Sequence, residues 1–215
     1  MKILNLYACL GGNRLKWSDE HEITAVEIVP EIAEQYQKKF PNDTVIIGDA
    51  HQYLLDNYRD FDFIWSSPPC PTHSKMMKAT KHDMSKYPDM RLYEEIIFLT
   101  HFFKGKFVVE NVKSYYKPLI TPYQTDRHYY WSNFVISNIK LPKIKNFSQA
   151  KRSDVAEWLG FNYNGKNIYI KNNHDPAQIL RNCIHPDEGM HILNLAMGII
   201  KKQNPNQTDI FDLGA

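Results

Sequence analysis

Several short stretches of this chain place reactive side chains where turns can present them. Cys70 follows a proline pair in Ser67-Pro68-Pro69-Cys70, Glu110 and Asn111 close an apolar run, and Gly11-Gly12 closes another. Two prolines stiffen a loop and can hold a thiol at its tip, where a cysteine becomes a nucleophile. A carboxyl group beside it, kept protonated by burial, can serve as an acid. That pair suits an unreactive pyrimidine. Thiolate addition at carbon 6 of cytosine, with an acid engaging ring nitrogen 3, turns carbon 5 into an enamine-like nucleophile. A buried inert thiol is the usual role of an isolated cysteine; the prolines and Glu110-Asn111 weigh against it here.

A second set of residues suits a nucleoside. A glycine turn after a strand lets backbone N–H groups approach a ligand. Glu27 ends the next apolar run, where a carboxylate can take two ribose hydroxyls. Asp49, after the third run, is in place to accept from an adenine amino group. Singly these are ordinary surface carboxylates; in register with the glycine turn they favour an adenosine-containing cofactor. Cys9-Leu10-Gly11-Gly12 is not G-x-G-x-x-G, which disfavours a dinucleotide.

The elements that must carry these residues alternate. Strands are expected at Ile3–Tyr7, Ile23–Glu27, Thr44–Ile47, Phe61–Trp65 and Phe107–Val109, with helices at Pro30–Phe40, His51–Tyr58 and Leu92–Phe103. This alternation predicts an α/β fold with a mostly parallel central sheet and helices on both faces. Ligands then bind beyond the carboxyl ends of the strands, and every residue named above falls there. Further on, residues 138–150 read as a basic linker. Helices follow at Ser153–Leu159, with Ser153 as N-cap, and at Glu188–Lys201. The Asn-, Pro- and Gln-rich residues 203–215 read as a flexible tail.

Composition sets outer bounds. The chain has 215 residues, a formal net charge of +2 and 23% charged residues, so any nucleic-acid contact must come from local patches. Three cysteines without a C-x-x-C pair fit no disulfide framework and point to a reducing cytoplasm. The apolar start before Cys9 is too short for a signal segment and is interrupted by Asn5. No run is long enough to span a bilayer. Histidine spacing supports no metal site.

These residues resemble the motifs of the DNA cytosine-5 methyltransferases. Tyr7-Ala8-Cys9-Leu10-Gly11-Gly12 is similar to F-A-G-x-G-G, with Cys9 in place of the first glycine. Glu27-Ile28 and Gly48-Asp49-Ala50 match the second and third motifs. Pro69-Cys70-Pro71-Thr72-His73-Ser74 resembles P-C-Q-x-F-S, and Glu110-Asn111-Val112 is E-N-V unchanged. Trp158-Leu159-Gly160-Phe161-Asn162 is similar to L-Q-G-F-P, and Asn182-Cys183-Ile184-His185-Pro186 to N-[SA]-V-P-P, which folds back onto the cofactor. The resemblance covers nearly the whole chain in order.

It implies a Rossmann-like methyltransferase fold over 1–137 and 151–202, with S-adenosyl-L-methionine as cofactor. The implied catalytic residues are Cys70, Glu110, Asn111 and Arg127. The implied cofactor contacts are Tyr7, Ala8, Leu10, Gly11, Gly12, Glu27, Ile28, Asp49, Ala50, Pro69, Asn182, Cys183 and Ile184.

Q-x-R-x-R is the poorest match. Asp126 and His128 occupy the arginine positions with Arg127 between them, so either Arg127 takes over the base contact or that contact differs. Between this motif and the L-G-F motif little more than residues 135–152 remains, so 138–150 reads as a vestige of a target-recognition segment. A short or loose target sequence is expected. Ser74, Lys75, Lys78 and Lys81 begin a basic stretch, continuing to Arg91 and including His73 and His82. It is similar to the mobile loop that closes over DNA around a flipped cytosine.

Outside the family pattern, Gln207, Ile210 and Phe211 resemble a peptide that docks on the bacterial sliding clamp. DNA and the clamp are therefore the expected partners of a monomeric, cytoplasmic protein. Two rival readings remain. An amino-methyltransferase acting on adenine N6 or cytosine N4 would use Ser67-Pro68-Pro69 as its loop. A non-catalytic DNA- or clamp-binding protein could retain this scaffold. Methylation of RNA or of a free nucleotide is also open.

Overall fold

The computed structural model describes residues 1–75, 87–161, 168 and 175–200. Lys78, Lys81, His82, Gln207, Ile210 and Phe211 lie outside them.

Apolar runs rich in Ile, Val and Phe build a single seven-stranded sheet. Its strands are β1 (Lys2–Leu6), β2 (Glu22–Glu27), β3 (Thr44–Ile47), β4 (Phe63–Ser66), β5 (Lys106–Val112), β6 (Tyr123–Gln124) and β7 (His128–Ser132). The order is β3-β2-β1-β4-β5-β7-β6. The first five strands pair in parallel and β7 lies antiparallel to β5 and β6. The first five were predicted to within two or three residues; β6 and β7 were not. Their segment is mostly aromatic and polar, without the clean apolar run that marks a central strand.

Helices cover both faces, because parallel strands need crossovers and both faces of the sheet are apolar. One face carries α2 (Ala50–Asn57) and α3 (Arg91–Phe102), packed on Leu4, Leu6, Ile64 and Val109. The other carries α1 (Pro30–Lys39) against Ala25 and α6 (Pro186–Ala196) against Ile3, Trp65 and Tyr130. Fully buried side chains of this kind contribute roughly 1.5–3 kcal/mol each.

The basic linker does not stand apart from this body. Ile144, Phe147 and Ala150 pack with α4 (Arg152–Leu159) and α5 (Gln178–Arg181), and the Trp158 indole donates to the Pro142 carbonyl at 2.6 Å. Two end points differ from expectation. Helix α4 starts at Arg152 behind Lys151, while Ser153 donates to Asp154 instead of capping. Helix α6 starts at Pro186, and His185 caps it by accepting from the Asp187 N–H. No helix among the described residues is long and apolar enough to cross a membrane.

Candidate active site

The carboxyl ends of β1, β2, β4 and β5 open onto one edge. A cavity of about 190 Å³ lies there, lined by Tyr7, Glu27, Ile28, Asp49, Ala50, Pro68, Pro69, His73, Asp89, Arg91 and Leu92. Glu27 is its most constrained member. One carboxylate oxygen accepts from the Cys9 N–H and the other from the Val29 N–H, both at 3.0 Å. Burial nevertheless pushes its pKa above the usual range. Ile28, next to it, is 64% exposed, an apolar flank without a protein partner over much of its surface. Asp49 also caps α2, accepting from the His51 and Gln52 N–H groups, so one of its oxygens already holds the helix.

The glycine turn shapes this cavity from behind. Cys9 takes φ 50° where its resemblance motif has glycine, and Tyr7 takes φ 56°; both are uncommon for non-glycine residues. Gly11 has φ 73°, and a Cβ there would lie 2.5 Å from the Phe40 ring. Gly12 lets the Ile184 carbonyl and Cys183 approach; a Cβ would lie 2.4 Å from that carbonyl. Cys183 and Ile184 therefore buttress the turn and are not among the residues lining the cavity. Nor do Ala8, Leu10, Gly11 and Gly12 line it, and exposed Asn182 accepts from Gln178.

Beneath the cavity, Glu95 is fully buried and gathers three elements. Its carboxylate accepts from Tyr7 at 2.6 Å and from Ser66 at 2.5 Å, and lies 3.0 Å from His51 Nδ1. No role was expected for it from sequence. The signal was a carboxylate among Leu92, Ile96 and Leu99, at the helical spacing of a core face.

Cys70 stands at the end of β4, beside the cavity. Its carbonyl accepts from the His73 and Ser74 N–H groups, which turns the chain back after the prolines. The Asn111 amide donates to the Pro68 carbonyl at 2.9 Å and so ties the end of β5 to the cysteine loop. Burial, and the Glu110 carboxyl after it, push the Cys70 thiol up to about 11. Glu110 is 6% exposed, and burial pushes its own pKa upward. Each group opposes charge on the other, so a proton on Glu110 favours a thiolate at Cys70.

Two residues of the expected DNA-facing stretch, His73 and Arg91, line the cavity. His73 is 1% exposed, with Nδ1 2.6 Å from the Tyr116 hydroxyl, and it lines the cavity. Arg91 opens α3 beside Asp89 and Asp49 on the same cavity. Ser74 bridges to Ser114, and Lys75 is exposed.

On the far side of Glu110 stand His128 and Arg127. His128, not Arg127, approaches Glu110, with Nε2 3.8 Å from a carboxylate oxygen, and its Nδ1 is 3.4 Å from Glu188. Arg127 stacks over Phe147 at 3.5 Å and stands 5.5 Å from Trp158. Its Nη1 is buried without a hydrogen-bond partner. It forms the wall of an open cavity of about 350 Å³ with Thr125, Lys143, Ile144 and Glu188.

The Cys70 thiol and the Glu110 carboxyl thus stand at neighbouring strand ends beside the cavity of Glu27. The family model for C-5 cytosine-specific DNA methylases matches residues 1–129. The chain belongs to this family. The match takes in the glycine turn, Cys70, Glu110 and His128, so the altered arginine motif lies inside a C-5 methylase domain. Two solved structures share the fold. The methyltransferase EhMeth of Entamoeba histolytica is 11% identical, with 94% of this chain and 99% of that one covered, at a TM-score of 0.53. A DNMT2 mutant of Spodoptera frugiperda is 15% identical, with 91% and 99% covered, at 0.58. The fold is thus the Rossmann-like methyltransferase fold that the motifs implied. A comparison with curated protein sequences finds no match.

Proposed function

We propose that this methylase transfers a methyl group to carbon 5 of cytosine in DNA through a covalent adduct of Cys70. The observation that carries the reading is the Asn111–Pro68 tie, which holds the Cys70 loop against the strand end bearing Glu110. S-adenosyl-L-methionine fits the cavity of Glu27. Backbone N–H groups fix both carboxylate oxygens, each keeping a lone pair for a ribose hydroxyl, and exposed Ile28 offers an apolar face to adenine. When bound, it supplies an electrophilic methyl group on a sulfonium centre.

The protein's own groups handle the ring. Cys70 gives its proton to solvent, and the thiolate sulfur bonds to carbon 6. The carbon 5–carbon 6 π electrons shift toward nitrogen 3, which takes the Glu110 proton. Carbon 5 is thereby nucleophilic. After methylation, carbon 5 gives its proton to solvent and the carbon–sulfur bond breaks to release the thiolate. Aromaticity returns, and nitrogen 3 gives its proton back to Glu110. A base must leave the duplex for this, at a cost of a few kcal/mol. With Ile144, Phe147 and Ala150 packed on α4, few side chains among the described residues remain for base edges, in keeping with a short or loosely defined target.

The test is methyl transfer to mixed-sequence DNA, with the modified base mapped by sequencing, in parallel with RNA of the same sequence. The expected product is 5-methylcytosine in DNA, and Cys70→Ala should abolish it. Methylation retained by that variant, or confined to RNA, defeats the reading. The tail is a separate proposal. Removal of residues 207–215 should abolish retention on an immobilised sliding clamp and leave methyl transfer in solution unchanged.

A further inference from the structure

The larger cavity takes no part in the steps at Cys70 and Glu110. It holds about 350 Å³, within the roughly 300–1,000 Å³ of pockets that receive small ligands. Ile139, Leu141, Ile144 and Trp158 supply apolar walls, and four charged side chains line it as well: Arg127, Lys143, Asp126 and Glu188. Lys143 and Asp126 are 83% and 73% exposed and pair at 3.4 Å, so they stand at the mouth. Glu188, 3% exposed, lies deepest of the four. Two charges of each sign suit a neutral occupant. A phosphate would meet two carboxylates of its own sign.

Arg127 is the unsatisfied member. Its guanidinium lies 3.5 Å over the Phe147 ring and 5.5 Å from Trp158. That stack fixes the plane of the group and leaves its N–H edge unused. Among the described residues Arg127 makes no hydrogen bond or ion pair, and its Nη1 is buried without a partner. Glu188 lines the same cavity and does not close on it. A buried donor in this state is costly until an acceptor arrives from outside the protein.

We propose that this cavity receives a second base of the nucleic acid, a guanine near the methylated cytosine, and that Arg127 reads it. The guanidinium offers donors alone, in a rigid fork, and guanine sets two acceptors, O6 and N7, side by side. Adenine puts an amino donor beside its N7, cytosine offers an amino donor, and thymine has a single acceptor. The apolar walls take the faces of an unstacked base. The occupant is a second base because His128 stands between the two sites, 3.8 Å from Glu110 and 3.4 Å from Glu188. This rests on the reading of the protein as a cytosine methylase acting on DNA.

The test maps the flanks of every cytosine methylated in mixed-sequence DNA. Guanine should be enriched at one fixed position by roughly five-fold or more, the lower end for a bidentate arginine–guanine contact. Arg127→Lys keeps the charge without the fork, and the enrichment should vanish. In a duplex of fixed sequence, 7-deazaguanine at that position removes N7 and keeps the base pair. It should lower kcat/KM of the wild type by a similar factor and leave that of Arg127→Lys unchanged.

Uniform flanks overturn the proposal, as does a guanine preference that Arg127→Lys retains. Should that variant not fold, the wild type decides alone, and indifference to 7-deazaguanine overturns the proposal equally. If the wild type methylates no DNA, the proposed function falls and free deoxyguanosine tests the cavity. It should shift the NMR signal of the Trp158 indole N–H, identified by its loss in Trp158→Phe, and deoxyadenosine should not. The guanine site stands on that difference and falls without it.

Discussion

The two sides of the reactive edge are built differently. On the cofactor side, polar groups are held by the backbone: Glu27 by the Cys9 and Val29 N–H groups, Asp49 by the first turn of α2. On the base side they are held by other side chains from distant segments, as in Glu110, His128 and Glu188, and Arg127 keeps a buried N–H without a partner. A site made by backbone geometry is fixed before any ligand arrives. A site made of facing side chains carries its function in their charges, and a single substitution can redistribute them. Changes on the base side should therefore alter chemistry, while changes on the cofactor side should alter binding and stability.

The largest effect belongs to Glu110. Glu110→Gln removes the acid but keeps the shape, and methyl transfer should fall by roughly 10²–10⁴-fold. The same change should make Cys70 more reactive toward an alkylating agent at alkaline pH. An ionised Glu110 raises the thiol, so its removal increases the thiolate fraction at the alkaline pH where Cys70 titrates and has no such effect where Glu110 is still protonated. In the wild type, alkylation should climb with pH toward about 11. Loss of both activities together would mean that the substitution disturbs the loop rather than the proton.

Next comes Glu27. Glu27→Ala should raise the cofactor dissociation constant by about 10- to 100-fold, the loss expected for charge-assisted hydrogen bonds to a ligand. The turnover number at saturating cofactor should change far less. Calorimetric titration separates the two, and an equal fall in turnover would blur the contrast between the sides.

Gly11 tests the cofactor side through stability. Alanine there must take φ 73° and place a methyl group against Phe40 and Tyr36. The expected cost is about 1–3 kcal/mol, a drop of several degrees in melting temperature for a chain of this size.

The same contrast decides what could be read from the amino-acid sequence. The five parallel strands and the glycine turn were legible because buried strands show as apolar runs and backbone-built sites fall at their ends. Cys70 and Glu110-Asn111 were legible because adjacent residues carry the motif. His128 and Glu188 were not, since sixty residues separate them and only the docking of α6 brings them together. Glu188 and Glu95 each left a trace, a carboxylate on the core-facing stripe of a helix. Cys183 and Ile184 were read against the glycine turn, and they pack behind it. A motif marks that a segment meets the glycine turn without saying from which side.

Phe147 gives the smallest effect and tests what residues 138–150 do. Its ring carries the Arg127 guanidinium at 3.5 Å, and that stack sets where the unpartnered N–H lies in the wall of the larger cavity. Cation–π contacts of this kind contribute about 0.5–2 kcal/mol, depending on how far they are desolvated. Phe147→Ala frees the guanidinium without removing it. If the cavity receives part of the nucleic acid, KM for DNA should rise a few-fold while cofactor binding and turnover at saturation hold. Phe147→Tyr, which keeps the ring, should behave as the wild type. An unchanged KM in the alanine variant, with only a loss of stability, would make residues 138–150 a brace for α4. Target choice would then rest on the loop after Cys70.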